Sequence, residues 1–166
     1  MAEIPALIAT VSGTTSNTYG TEAECLAYMR IRPGGQEWLD KDPADRRGSL
    51  LFATILIERE VFWGLKEDSA QALQFPRVPG TSGVIPTAIK HAQFEQALDL
   101  VTGDYADRVS FVDTQELGVR EMRNERTTVR MVPASNSGAL PAWKLSTTAR
   151  SLIAPYMDAT LMVARA

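Results

Sequence analysis

Leu50, Ala53, Ile57 and Val61 recur every three or four residues, and Leu51, Ile55 and Phe62 form a second line beside them. That spacing places residues on one side of an α-helix. Two adjacent lines make an apolar face wider than a surface helix needs, so the pattern predicts a central core helix over about 43–62. Asp42-Pro43 supplies its start, because proline's missing N–H has no partner to lose in the first turn. Trp63-Gly64 marks its end, glycine being suited to a left-handed cap residue. On this reading Trp63 is buried, and its truncation to alanine costs about 3–5 kcal/mol.

Three other helices follow from pattern and caps. Thr21 and Glu24 have capping-box spacing, in which hydroxyl and carboxylate each satisfy a free amide of the first turn. The helix they open runs over about 22–31, with Leu26, Met29 and Tyr28 as candidate inward residues, and stops before Pro33-Gly34-Gly35. Ile85-Pro86 begins another, to about Val101. Ile85, Ala88, Ile89 and Ala92 line one side and Phe94, Leu98 and Val101 another, with Gly103 as its stop. A short last helix over about 146–154 can be capped by Ser146 or Thr147 and is interrupted at Pro155.

The remaining segments are not helical in pattern. The first twenty residues pair a short apolar run with the small polar string SGTTSNTYG, as expected of a short strand or extended arm followed by a loop. Residues 117–132 have no helical stripe. If the chain reverses at Asn124-Glu125, then Met122, Thr127, Val129 and Met131 share one face with Arg120. Glu121, Arg123, Arg126, Thr128 and Arg130 then share the other with Val119. That split is expected of a half-buried β-hairpin. Residues 133–142, PASNSGALPA, read as a link.

The stretch QALQFPRVPGTSGVIPTAIKHAQ, residues 71–93, carries three prolines and two glycines. Gln71-Ala72-Leu73 reads as a last helical turn, and Pro76 pushes Phe75 into an extended conformation. Phe75 is then expected to plug the core near Trp63, with Arg77 offering a planar fork to carbonyls or a carboxylate. The glycines of VPGTSGV do not make a phosphate loop, because valine stands at 84 where lysine would be required.

Composition narrows the function classes. The chain has 166 residues, 45% of them hydrophobic, and a net charge of −3. It can bury a real core without staples, and its charge is not that of a protein built to coat nucleic acid. The single cysteine, Cys25, excludes an internal disulfide framework and reads as a small buried apolar residue. No apolar run is long enough to span a bilayer, and the N-terminus does not read as a signal peptide. His91, the only histidine, lies mid-helix away from any nucleophile motif, and one histidine with one cysteine cannot build a zinc shell. No catalytic set can be named, and no cofactor or metal is expected. The hairpin charges are mixed and have no aromatic among them, a poor match to a single-strand groove. They suit either a solvated face or an interface between subunits, where arginine is enriched.

One order of residues is distinctive. N-T-Y-G-T-x-A-E-x-x-A-Y (17–28) is followed by Trp38, an apolar helix ending Trp63-Gly64, and Gln71-Ala72-Leu73-Gln74-Phe75-Pro76-Arg77. Ile85-Pro86-x-x-Ile89-Lys90-x-Ala92 completes it. This resembles the head–tail connector (adaptor, or head-completion) proteins of tailed bacteriophages. It is most similar to the subgroup often labelled DnaT-like single-stranded DNA-binding. The resemblance covers residues 6–105, and beyond them only the order of elements matches.

The resemblance implies a mainly α fold: a small bundle of four to five helices with a β-hairpin appendage and an extended C-terminal tail. Residues 1–105 would be the helical core with its N-terminal arm, 106–142 the hairpin and linker, and 143–166 the C-terminal helix and tail, within one domain. Trp63, Phe75, Pro76, Arg77, Ile85, Pro86 and Ile89 would be structural core. The implied function is architectural: a homo-oligomeric ring beneath the portal that extends the DNA channel and docks the next neck or tail protein. Leu152, Ile153, Tyr156, Met157, Leu161, Met162 and Arg165 are the candidate portal anchors. Arg120, Glu121, Arg123, Glu125, Arg126 and Arg130 are the candidate subunit or neck contacts. Genomic DNA would pass without sequence-specific binding, no membrane would be involved, and the protein would reside in the virion neck after assembly in the host cytoplasm. The alternative is a single-stranded DNA-binding replication accessory protein.

Overall fold

Thr21 opens the first helix through the reciprocal bonds its spacing demands: Glu24 N–H donates to Thr21 Oγ1 (3.2 Å), and Thr21 N–H donates to Glu24 Oε2 (2.7 Å). A computed structural model describes residues 4–102, 121–124, 127–130 and 145–158. The fold is mainly helical, as expected. Among the described residues there are five α-helices, α1 (Glu22–Ile31), α2 (Gln36–Leu39), α3 (Pro43–Glu58), α4 (Thr87–Val101) and α5 (Thr147–Ile153), the last followed by a 3-10 turn over Ala154–Tyr156. Two small antiparallel pairs accompany them, β1 (Leu65–Lys66) with β2 (Arg77–Val78) and β3 (Glu121–Asn124) with β4 (Thr127–Arg130). The arm before α1 has no regular structure and is folded back on itself by Asn17, whose N–H donates to Ile8 O and whose side chain bonds Ile8 N–H and Ala6 O.

α3 differs from expectation at its end and on one face. It stops at Glu58, four residues early, where Arg59 and Glu60 N–H turn to Leu56 and Ile57 carbonyls in tighter bonds. Beyond it the chain is extended, because tertiary pairing competes with helix continuation. Phe62 bridges Met157, Trp63 N–H donates to Tyr156 O (3.1 Å), and Asp158 N–H donates to Val61 O (3.1 Å). Of the first expected line Leu50, Ala53 and Ile57 are buried and Val61 is exposed; of the second Phe62 is buried, Leu51 half-buried and Ile55 exposed.

The central element is α4 rather than α3. Every residue from Ala92 to Leu98 is buried, and α4 packs against α1, α2, α3 and α5. Three of those residues are polar and are kept inside by hydrogen bonds, as burial requires. Gln93 bonds five groups, Glu95 receives Arg32 and Tyr28, and Gln96 Oε1 accepts from Ser146 N–H (2.6 Å). Burial alone would raise the Glu95 pKa, but the bonds from Arg32 and Tyr28 outweigh it and hold the carboxyl low. Pro86 serves as N-cap, one position before the first helical residue, and Thr102 is the C-cap; Gly103 lies outside the described residues.

Two core clusters flank α4. One joins Leu56, Ile57, Phe62, Phe75, Ile85, Ile89 and Ala92 to Leu145, Ala149, Ile153 and Met157. The other joins Cys25, Met29, Trp38, Leu50 and Ala53 to Phe94, Ala97 and Leu98. Cys25 is buried, as its composition-based reading requires, and burial pushes its thiol pKa up. α2, which the pattern did not predict, inserts Trp38 into the second cluster. Its indole donates to Ser49 Oγ (3.0 Å), and the Arg46 guanidinium lies over the ring.

Ser146 caps α5, accepting from Ala149 N–H (3.1 Å), and Pro155 is accommodated in the 3-10 turn. The hairpin pairs Glu121 with Arg130, Met122 with Val129, Arg123 with Thr128 and Asn124 with Thr127. The reversal therefore falls between Asn124 and Thr127, one residue later than expected.

Candidate interaction surface

Arg77 organises the surface made by residues 61–67 and 77–84. Its guanidinium is inside the fold and acts as the planar fork expected of it, with backbone carbonyls as its main partners. Nε donates to Trp63 O (2.7 Å), Nη2 to Phe62 O (3.0 Å) and Gly64 O, and Nη1 to Gln74 Oε1 (2.6 Å). Three consecutive carbonyls are thereby fixed, so the extended 62–64 segment is held without being part of a regular sheet. Gly64 has φ +79°, and a Cβ there would come within 2.7 Å of Val78 O. Glycine is needed for this close approach rather than for a helix cap.

Gln71-Ala72-Leu73 is not a helical turn. The buried Gln71 side chain instead clasps the loop, donating to Leu73 O (2.8 Å) and Pro76 O (3.0 Å) and accepting from Asp68 N–H (3.1 Å). The Phe75–Pro76 and Val78–Pro79 peptide bonds are cis. Phe75 plugs the core, but against Phe62 (ring centroids 4.9 Å), Tyr156 (5.7 Å) and Tyr19 (6.1 Å) rather than Trp63. Beneath the loop, Tyr19 OH and Gln74 N–H both donate to Glu58 Oε1. Burial raises the pKa of both Tyr19 and Glu58.

Trp63 is the main correction among the expected core residues. It is 41% exposed, its ring lying over Gly80, where a Cβ would come within 3.1 Å of it. Phe62 takes the inward place, because an extended backbone turns neighbouring side chains to opposite sides. Trp63→Ala is accordingly expected to lower stability by about 1 kcal/mol or less in a thermal melt, near the range of surface substitutions. A loss of about 3–5 kcal/mol would restore the buried reading. Phe75, Pro76, Arg77, Ile85 and Ile89 are buried as expected, and Pro86 is half-buried.

Around Trp63 the surface is apolar. Leu65 is 75% and Val84 61% exposed, and Val61 is also exposed. Leu65 pairs with Val78, and Val84 N–H closes the turn onto Thr81 O, so both residues belong to one hydrogen-bonded turn region. Glu67 pins it from the side. Its carboxylate accepts from Ser82 Oγ, from Gly83 N–H (2.9 and 3.0 Å) and from Ser12 Oγ of the N-terminal arm (3.4 Å). Those bonds hold its pKa low. Asp68 stands beside it, exposed, and neither acid is in a salt bridge among the described residues. The sequence pattern does not show this surface, because Trp63-Gly64 reads as a helix end. The signal that could have found it is the WGL triplet: a glycine between two large apolar residues, outside any stripe.

The candidate portal anchors are divided. Ile153 is fully buried and Met157 nearly so, in the first core cluster, and Leu152 and Tyr156 pack against it. As core residues, Ile153 and Met157 present no free side chain to a partner. Ile153 lies on α5, which packs against α4, and Met157 follows the 3-10 turn where it bridges Phe62, placements that the short helix alone could not reveal. Leu161, Met162 and Arg165 lie outside the described residues. Of the hairpin candidates, Glu121, Arg123 and Arg130 lie on β3 and β4, while Arg120, Glu125 and Arg126 lie outside. His91 lies tilted against Tyr28, with ring centroids 4.6 Å apart. Among the described residues no group of three or more His, Cys, Asp or Glu could hold a metal ion, and no helix is long and apolar enough to cross a membrane.

Among the described residues the chain is a mainly helical bundle that carries a braced apolar turn at its surface. Residues 7–155 match the protein family described as "Putative DnaT-like ssDNA binding protein", and the chain belongs to that family. No curated protein and no solved structure matches it.

Proposed function

We propose that this protein is a non-enzymatic head–tail adaptor of a tailed bacteriophage. Copies form a ring beneath the portal, extend the DNA channel and dock the next neck protein. The observation that supports this best is the braced surface of Trp63, Leu65 and Val84 beside Glu67 and Asp68. An apolar patch with acidic neighbours is suited to another protein surface and repels phosphate. The order of motifs from Asn17 to Ala92, which resembles the connector proteins, supplies the particular setting. In that setting the protein acts in the virion neck, and Leu161, Met162 and Arg165 are the remaining portal anchors.

The family description favours a second reading, single-stranded DNA binding. Trp63 is a possible stacking platform for a base, but such sites also need net positive charge along the strand. Two measurements separate the readings. The full chain is expected to co-sediment with assembled portal, and truncation after Asp158 to abolish this. Oligonucleotide binding is expected to be undetectable at low salt. Tight binding with a steep log–log salt slope, lost in Trp63→Ala, would overturn the adaptor reading in favour of the second.

A further inference from the structure

The Trp63–Leu65–Val84 surface has a complement elsewhere on the same chain. Ile31, the last residue of α1, is 82% exposed, the most exposed of the large apolar side chains among the described residues. It projects between Arg30 and Arg32. The Arg32 guanidinium is committed to Glu95 (2.6 and 2.9 Å) and to Pro33 O. Arg30 is exposed and takes part in no salt bridge among the described residues. The corner therefore offers an apolar knob with a free cation beside it. The braced turn offers an apolar patch with two acids, Glu67 and Asp68, beside it.

The two features sit at different levels of the fold. Trp63 and Leu65 follow α3 on the side of the first core cluster, which also holds Ile85 at the start of α4. Ile31 lies at the level of Glu95, through Arg32. One body thus carries both halves of a contact at separate places, and a contact between unlike faces propagates around a ring or along a filament.

We infer that the Arg30-Ile31 corner of one copy docks on the Trp63–Leu65–Val84 surface of the next, with Arg30 facing Glu67 and Asp68. The partner is a second copy of this chain, bound head to tail. Charge selects this arrangement over a two-fold contact between like surfaces, which would bring two Glu67–Asp68 pairs together and cost association through repulsion. The inference deepens the ring reading by naming the faces that meet. Its test uses no portal protein, so the two fail separately.

The experiment pairs two single variants of the full chain, Ile31→Cys and Leu65→Cys, under oxidised glutathione as the oxidant for disulfide formation. Both positions are exposed, so neither variant disturbs the core, and the native Cys25 is buried and does not compete. An equimolar mixture is expected to give several-fold more disulfide-linked dimer than either preparation alone, with the intact mass of the mixed pair. Arg30→Glu in the Ile31→Cys chain should lower that yield, and Asp68→Arg in the Leu65→Cys chain should restore it. No mixed dimer at high protein concentration would overturn the inference. So would equal yield from Leu65→Cys alone, which would mean that like surfaces meet.

Discussion

Arg77→Met is expected to lower the stability of the fold by about 3–4 kcal/mol, since hydrogen bonds from a charged donor contribute about 1.5–3 kcal/mol and only the Phe62 carbonyl is fully buried. The guanidinium serves Phe62, Trp63 and Gly64 carbonyls at once, and methionine fills its space without a donor for any of them. In a chain of this size that loss moves the melting midpoint down by on the order of 10 °C. Arg77→Lys should recover only part of it, because a compact ammonium cannot spread over three carbonyls as a planar fork does. Trp63 reports locally: its fluorescence should shift to the red and become easier to quench once its own carbonyl is released. An Arg77→Met variant that melts with the parent would show that the loop holds itself, through Gln71, Glu67 and the β1–β2 pair.

Gln93→Leu comes next in expected effect, about 3 kcal/mol, since each buried polar group left unpaired costs about 1–3 kcal/mol. Gln93 is wholly buried mid-way along α4. Its Oε1 accepts from Tyr19 N–H (3.2 Å) and Gly20 N–H (2.9 Å), and its Nε2 donates to Thr18 Oγ1 (2.5 Å), Leu50 O (3.1 Å) and Thr54 Oγ1 (2.9 Å). One side chain thus ties the N-terminal arm to α3 and α4. Leucine matches its volume, so lost packing is small and the cost comes from two backbone amides left without acceptors. Amide exchange at Tyr19 and Gly20 should accelerate well beyond the change in global stability. Thermal melts and exchange at those two amides check this together. Unchanged protection there would mean that solvent or another acceptor replaces the glutamine.

The helices α1, α3 and α4 were legible because their signals are local. A capping box, a first-turn proline and an apolar repeat are each set by neighbours within four residues. Arg77 was legible only in kind: a planar fork suits carbonyls or a carboxylate, and the carbonyls it serves belong to Phe62, Trp63 and Gly64, outside the proline-rich loop. α2 was not legible, since four residues are too few to show a period. Its Trp38 is placed by Ser49 and Arg46, eleven and eight positions away.

The candidate surface was lost for a related reason. Local pattern continues α3 through Val61 and Phe62, and only the pairing of 61–63 with 156–158 ends the helix at Glu58. That pairing joins segments nearly a hundred residues apart, and no spacing rule reaches so far. Its consequence is an exchange of roles: Phe62 goes inside, and Trp63 and Leu65 come out.

By itself, the sequence determined the mainly helical class, the starts of α1, α3, α4 and α5 and an arginine suited to carbonyls or a carboxylate, because short-range hydrogen bonding and periodicity are written within one or two turns. The tertiary structure alone decided that α4 is the buried centre, that Ile153 and Met157 are core rather than free anchors, and that Trp63 faces outward. Those outcomes depend on which distant segments compete for the same buried space and the same backbone hydrogen bonds, and that competition is settled only when the chain is packed.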